Sequence, residues 1–183
     1  MKTFEKRDLF ILIPIGILLF IQIPNLSLPY FWDEAWSYFT SIKKMAEAGP
    51  SMLPGAVPLD YCKGHPQFYF FTTSLWMKIF PESILMMRIF ALSISVSLLL
   101  ITFYGLKKIV SWNAGMIAAL LISVQSLFLA QSIFLLPEMM VSLFFVLSFF
   151  YYNKEEYWKY AIMSTLMVLT KETTIIFCIV FGI

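Results

Sequence analysis

An uncharged run of 24 residues, from position 9 to position 32, is the feature that most constrains the fold of this chain. At about 1.5 Å per residue, an apolar helix of this length is long enough to cross the roughly 30 Å of hydrocarbon in a bilayer. Asp33 and Glu34 follow the run directly. The run therefore predicts a membrane span that delivers two carboxylates to the boundary between water and lipid.

The composition predicts an all-α, polytopic transmembrane protein. Hydrophobic residues make up 60% of the chain and charged residues only 13%, and the mean hydropathy is +0.82. These values lie far outside the range of soluble domains. The net charge of +2 is small and the basic residues are scattered, which excludes the basic stripe of a nucleic-acid-binding surface.

Charge-poor runs predict five spans, with one long polar segment between the first and the second. The runs cover residues 9–32, 89–106, 109–137, 139–153 and 160–183, and Lys171-Glu172 interrupts the last of them. The chain therefore divides into a first span (1–32), an external loop (33–88) and further spans (89–183). Because the last run has no polar tail, we expect the chain to be the amino-terminal part of a longer protein.

The external loop is predicted to contain two juxtamembrane helices. Apolar residues recur at helical spacing over 33–48, which predicts an amphipathic helix on the membrane surface, ended by Gly49 and Pro50. Residues 65–81 are only marginally long for a span and are interpreted as a re-entrant or interfacial helix. With this topology the positive-inside rule favours a cytoplasmic amino terminus and an extracytoplasmic loop.

Five sequence fragments resemble, in order, motifs of the integral-membrane glycosyltransferases of the GT-C fold. The resemblance is to the branch that contains protein O-mannosyltransferases and lipid A aminoarabinose transferases. The fragments are WDEAWSYF (32–39), GHPQFYFF (64–71), MMRIFALSISVSLLL (86–100), SLFLAQSIFLLPEMMVSLFF (126–145) and VLTKETTIIF (168–177). The chain departs from the family pattern at Gln67, Glu138 and Glu172, where the family has Pro, Asp and Gly.

The resemblance implies transfer of a sugar from a polyprenyl-phosphate carrier to an extracytoplasmic acceptor, with inversion at the anomeric carbon. The acceptor would be a protein, a lipid or a polysaccharide. Such a reaction needs a carboxylate to take the acceptor's proton and cations to stabilise the departing phosphate. Asp33 matches the first acid of the family's pair and is the candidate catalytic base, with Glu34 beside it as a second catalytic residue.

Further residues are candidates for binding the lipid phosphate or the sugar. They are Lys63, His65, Arg88, Glu138 and Lys171. The alternatives are a solvated loop histidine, basic anchors at span ends, a loop acid at a helix start, and mutual pairing of Lys171 with Glu172. No cofactor is firmly indicated, although Asp33, Glu34 and His65 could hold a divalent metal.

Other interpretations of the same residues stay open. Asp33 could be the N-cap of the surface helix, because an aspartate in that position accepts backbone N–H groups. The chain could also belong to a transporter or flippase for a lipid-linked or anionic substrate, with Glu138 and the Lys171-Glu172 pair as polar groups within the membrane. A third alternative is a non-catalytic scaffold that binds lipid.

Overall fold

The computed structural model describes residues 5–62 and 64–180, and every regular element in them is helical. The all-α prediction is confirmed for this part of the chain. The α-helices are α1 (Leu12–Gln22), α2 (Thr40–Ala48), α3 (Leu59–Cys62), α4 (Phe68–Ile79), α5 (Ile84–Ile109), α6 (Trp112–Val124), α7 (Ser126–Gln131), α8 (Glu138–Asn153), α9 (Tyr157–Thr170) and α10 (Ile175–Val180).

Two helical stretches within the described residues are long and apolar enough to cross a membrane. They are Lys6–Asn25, which contains α1 between two 3₁₀ turns, and Ile84–Ile109, which is α5. The helices α6 and α8 are also apolar but contain only 13 and 16 residues. Membrane association therefore rests on two helices, and the five-span arrangement stays a prediction.

The first apolar helix ends at Asn25, well before Trp32. Pro24 lies in its last turn and lacks the N–H that a continuing helix would need. Residues 26–31 are not helical, and a new helix begins immediately before Asp33. The prediction of one helix through Trp32 is therefore wrong, and a short irregular segment separates the first span from the acidic pair.

The predicted amphipathic helix is present as a π-helical turn, Glu34–Phe39, that continues into α2. Gly49 ends it with a φ of +103°, a conformation that favours glycine, as predicted. Ile42 and Met45 on the apolar face are completely buried, and α2 packs against α4. The prediction that this face rests on lipid is wrong, because another helix of the loop already covers it.

The helix α4 contains 12 residues, so it rises about 18 Å and is too short to cross the hydrocarbon. It buries Tyr69 and Phe70 against α2 and the π-helical turn before α2, in one apolar cluster. The loop segment before it contains a short helix, α3. The position of α4 relative to a membrane stays a prediction.

The run predicted as one span over 109–137 is two helices and an irregular segment. Ser111 accepts a backbone N–H at the start of α6, and Gln125 does the same at the start of α7. Each side-chain oxygen replaces a helical acceptor and so favours a new helix start. Residues 132–137 are not helical and lead directly into α8 at Glu138.

The helices α8 and α9 pack closely as an antiparallel hairpin. A short turn joins them, in which Glu155 adopts a positive φ of 58°. The beginning of α8 therefore lies beside the end of α9, which brings Glu138 and Lys171 to the same end of the molecule. The helix α9 ends at Thr170, so the predicted interruption at Lys171-Glu172 is confirmed as a break before α10.

Candidate functional site

A buried ion pair joins the acidic motif to α5. Arg88 Nη1 donates to Glu34 Oε1 at 2.7 Å, and Arg88 Nη2 donates to Glu34 Oε2 at 3.0 Å. Both residues are 0% exposed. Two parallel hydrogen bonds between a guanidinium and a carboxylate form the strongest geometry available to such a pair. We call these two residues the Glu34–Arg88 cluster.

The cluster also satisfies backbone groups of two irregular segments. The Glu34 carboxylate accepts the N–H of Leu135 at 2.6 Å and the N–H of Phe31 at 3.0 Å. Arg88 donates in turn to the carbonyl oxygens of Ile133, at 2.9 Å, and Pro29, at 3.1 Å. Non-helical backbone is tolerated at membrane depth only when protein groups satisfy it, and this cluster supplies them.

Arg88 is therefore not placed to hold a lipid phosphate in this arrangement. Its guanidinium lies between the rings of Tyr30 and Phe134, with centroid distances of 5.5 Å and 5.4 Å. Of the three guanidinium nitrogens, Nη1 and Nη2 have hydrogen-bond partners, and Nε has none within the described residues. Glu34 is equally enclosed, so we revise both interpretations: the pair holds segments together and does not face a ligand.

Asp33 has the opposite environment to its neighbour. It is exposed, its backbone has helical angles, and its side chain makes no capping hydrogen bond. The alternative that Asp33 is an N-cap is therefore wrong. The acid that reaches back to the backbone is Glu34, through Phe31, in the manner of the second half of a capping box. The Asp33 carboxylate is thus exposed to solvent.

Tyr38 shows which carboxylates surround this end of the protein. Burial raises the pKa of its hydroxyl above the usual range, and nearby negative charges raise it further. Those charges belong, in decreasing order of effect, to Glu138, Glu172 and Asp33. Three acids from widely separated parts of the sequence are therefore near enough to one tyrosine to influence its ionisation.

Lys171 pairs with Glu138 and not with its neighbour Glu172. Its Nζ donates to Glu138 Oε1 at 2.7 Å, and the two side chains are 28% and 31% exposed. The alternative of mutual pairing within Lys171-Glu172 is wrong, because the break after α9 turns the two side chains to different partners. Glu138 Oε2 is buried and has no hydrogen-bond partner among the described residues.

His65 completes the group from the external loop. Its Nδ1 lies 3.2 Å from Glu172 Oε2, and its ring stacks on Tyr38 with centroids 6.0 Å apart. Burial raises the pKa of the Glu172 carboxyl, but its backbone N–H and the neighbouring His65 outweigh burial. The pKa of Glu172 therefore lies below its usual range, and the carboxylate is held ionised.

We call this partly exposed group the open network. Its members are Asp33, Tyr38, His65, Glu138, Lys171 and Glu172. Four of the predicted site residues belong to it, and Glu34 and Arg88 lie beneath it in the buried cluster. The predicted Lys63 lies outside the described residues.

Two apolar cavities lie near residues of the network, and His65 itself lines one of them. One, of about 280 Å³, is lined by Val57, Cys62, His65, Gln67 and Leu169, among others. The other is a groove of about 360 Å³ beside the first turns of α8, and its lining includes Leu98, Phe128, Met139, Phe145 and Phe177. Both have volumes of the order found in small-molecule sites.

A metal site is not formed by the residues predicted for it. The described ranges, 5–62 and 64–180, contain no group of three or more His, Cys, Asp or Glu side chains arranged to hold a metal ion. Glu34 is occupied by Arg88, and His65 faces Glu172. The predicted combination of Asp33, Glu34 and His65 is therefore not arranged as a ligand set.

Sequence reasoning missed two members of the network. Tyr38 was placed on an apolar helix face and in the fragment that resembles the family's Asp-Glu motif, and Glu172 was considered only as a pair with Lys171; neither was predicted as a site residue. A signal for Glu172 was available, since it stands beside a predicted site residue at a break between apolar segments. For Tyr38 the signal was its place in the fragment WDEAWSYF, which resembles the family's Asp-Glu motif followed by a tyrosine.

Comparison with known proteins identifies one distant relative. The chain is 29% identical over 178 residues to an uncharacterized protein from Aquifex aeolicus (strain VF5), and the match covers 91% of this chain. The chain spans about a third, 34%, of that relative's length. No family model and no solved structure matches the chain.

Proposed function

We propose that the protein is an integral-membrane glycosyltransferase, related to the GT-C enzymes, that moves a sugar from a polyprenyl-phosphate carrier to an extracytoplasmic acceptor with inversion. One observation carries the proposal. An exposed acid, Asp33, lies at the same end of the molecule as the cation Lys171, although the two are far apart in the sequence. A base and a cation near one another are what attack on a sugar phosphate requires.

Asp33 is assigned the role of general base. It takes the proton of the acceptor hydroxyl as that oxygen attacks the anomeric carbon, and the bond to the carrier phosphate breaks on the opposite face. The carboxylate is exposed, and within residues 5–62 and 64–180 it forms no ion pair, so it is available to accept a proton. Glu34 supports it from below and does not contact substrate.

Lys171 and His65 are assigned to the leaving phosphate. Lys171 is partly exposed and is held by a single hydrogen bond to Glu138, so it can turn to a phosphate oxygen. Such cations stabilise the charge that develops on a leaving group. The groove that includes Met139 and Phe177 is apolar and begins at the residue that follows Glu138 in α8, which suits a prenyl chain.

Replacing Asp33 by asparagine tests the proposal. Loss of the base predicts a fall in transfer of at least about 100-fold, because general-base catalysis contributes about that much or more. The assay incubates membranes containing the full-length protein with a panel of radiolabelled polyprenyl-phosphate sugars and measures loss of label from the lipid. Asp60→Asn, at an exposed acid of α3, is the matched control. Near-normal transfer by Asp33→Asn would refute the assignment.

A transporter or flippase is the second candidate, and the interrupted helices favour it. An irregular segment at 132–137 and a break at Lys171, followed by a 3₁₀ turn (Glu172–Thr174), separate apolar helices, and broken helices form the binding sites of many transporters. A flippase would move the labelled lipid between leaflets without breaking the sugar–phosphate bond. Reconstituted vesicles therefore distinguish the two, since free polyprenyl phosphate is formed only by the transferase.

A further inference from the structure

We propose that Glu34 and Arg88 are positioning residues that hold Asp33 at a fixed place relative to the Glu138–Lys171 pair. The inference rests on the proposed function and deepens it, because it says how the base and the phosphate-binding cation are kept at a working separation. The geometry replaces the catalytic and phosphate-binding roles that the sequence predicts for these two residues.

A first set of hydrogen bonds fixes the backbone around Asp33. Glu34 Oε2 accepts the N–H of Phe31, and the N–H of Ala35 donates to the carbonyl oxygen of Phe31 at 2.8 Å. These two hydrogen bonds close the turn on both sides of Asp33. The aspartate side chain is therefore presented by a backbone that cannot shift without breaking a bond to the buried carboxylate.

A second set of hydrogen bonds fixes the irregular segment that leads to Glu138. Glu34 Oε1 accepts the N–H of Leu135, and Arg88 Nη1 donates to the carbonyl oxygen of Ile133. The helix α8 starts with Glu138 shortly after this segment, and Glu138 holds Lys171 at 2.7 Å. The same carboxylate thus anchors both the segment that carries the base and the segment that leads to the cation.

The chemistry of the two side chains explains why a carboxylate and a guanidinium are needed. Each Glu34 oxygen accepts one backbone N–H and one guanidinium N–H, so neither oxygen can be replaced by a donor. The amide of glutamine would place its NH₂ group against an N–H. A lysine at position 88 would lose the planar fork that spans both oxygens.

A second buried pair on α5 provides a matched control. Lys107 Nζ donates to both oxygens of Asp8, at 2.8 Å and 2.7 Å, and Asp8 is 0% exposed. At 1.5 Å per residue, Lys107 lies about 28 Å along the helix from Arg88. This pair has similar burial and the same charges, but it touches neither Asp33 nor the segment before α8.

The first experiment measures geometry and does not depend on activity. Spin labels are attached to cysteines replacing the exposed Trp36 and Thr173, in a variant that lacks the half-exposed Cys178. Pulsed electron spin resonance then gives the distance distribution between the two labels. We expect Glu34→Gln to broaden or shift this distribution and the control Asp8→Asn to leave it unchanged.

The second experiment measures catalysis in the full-length protein. We expect Glu34→Gln to lower kcat by about 10-fold to 100-fold with KM changed by less than about 2-fold, because misplacing a bound group affects the chemical step more than binding. Asp8→Asn leaves kcat per folded molecule unchanged. Where Glu34→Gln does not fold, Arg88→Lys is the second variant, since it keeps the charge and loses only the bidentate geometry.

The two experiments separate failure of this inference from failure of the proposed function. If no donor is turned over by the parent protein, the proposed function fails, and the distance measurement still tests positioning. If Glu34→Gln and Arg88→Lys leave both the label distances and kcat at parental values, the positioning role is overturned. Equal changes in the distances for Glu34→Gln and Asp8→Asn would also overturn it, because they would indicate general loosening.

Discussion

The Glu34–Arg88 cluster and the open network are built from the same kinds of side chain, yet they differ in how completely they are enclosed. Both Glu34 oxygens are fully hydrogen-bonded and buried. In the open network, Glu138 and Lys171 keep about 30% of their side-chain area exposed, at 31% and 28%. The first arrangement has no capacity left for a ligand, whereas the second can exchange an internal partner for one.

This difference follows from the helices that carry the residues. Arg88 lies on α5, the long apolar helix, and faces two irregular segments whose backbone groups need partners. Lys171 lies at a helix end, where backbone and side chains meet solvent. A charge in a long apolar helix is therefore used to complete the fold, and a charge at a break between helices is available for chemistry.

The strongest test of the comparison is Arg88→Met. Removing the cation leaves Glu34 buried without its charge partner, which costs about 3–5 kcal/mol for a pair of this kind. The carbonyl oxygens of Ile133 and Pro29 also lose a donor. Thermal unfolding of the purified protein in detergent, followed by intrinsic fluorescence, measures the loss. A loss below about 1 kcal/mol would contradict the view that this cluster holds the fold.

Lys171→Met sharpens the comparison from the other side. Because the Lys171–Glu138 pair is partly exposed, its removal should cost no more than about 1 kcal/mol of stability. Loss of the cation should nevertheless lower sugar transfer by about 100-fold. Unfolding and transfer are measured on the same preparation, with Lys78→Met, at an exposed lysine of α4, as control. Large destabilisation with unchanged transfer would reverse the assignment of the two regions.

Local patterns predicted part of this fold correctly. The spacing of apolar residues over 33–48 and the Gly49 stop identified a helix and its end, because both depend on neighbouring residues only. The same pattern could not say what covers the apolar face. Protein and lipid present equally apolar surfaces, so the burial of Ile42 against α4 depends on tertiary packing that hydropathy does not contain.

The sequence predicted most of the residues that form the site, but not which of them pair with each other. Asp33, His65 and Glu138 were expected on one face from the order of the spans, and the structure brings them to the same end around Tyr38. The sequence did not reveal that Glu34, directly beside Asp33, points inward to Arg88. Adjacent helical residues face different directions, and which one is buried depends on segments distant in the sequence.

The smallest expected effect concerns pH and the Glu172 end of the open network. The folded-state pKa of Glu172 lies below the ordinary glutamate value of 4.5, so its ionised form stabilises the folded protein above about pH 4.5. That contribution is lost as pH falls through the folded pKa, when the carboxylate is protonated. Its side chain is 50% exposed, and solvent screening keeps the contribution small.

Thermal unfolding between about pH 6 and about pH 3 measures this contribution. Glu172→Gln should lower the melting temperature slightly at the upper end of the range and make no difference at the lower end, so the two curves converge on acidification. For Glu47→Gln, at an exposed acid of α2, the melting temperature should follow a curve parallel to that of the parent over the whole pH range. Curves for Glu172→Gln and the parent that stay parallel would show that the contact with His65 does not stabilise the fold. The open network would then be held by Lys171 and Glu138 alone.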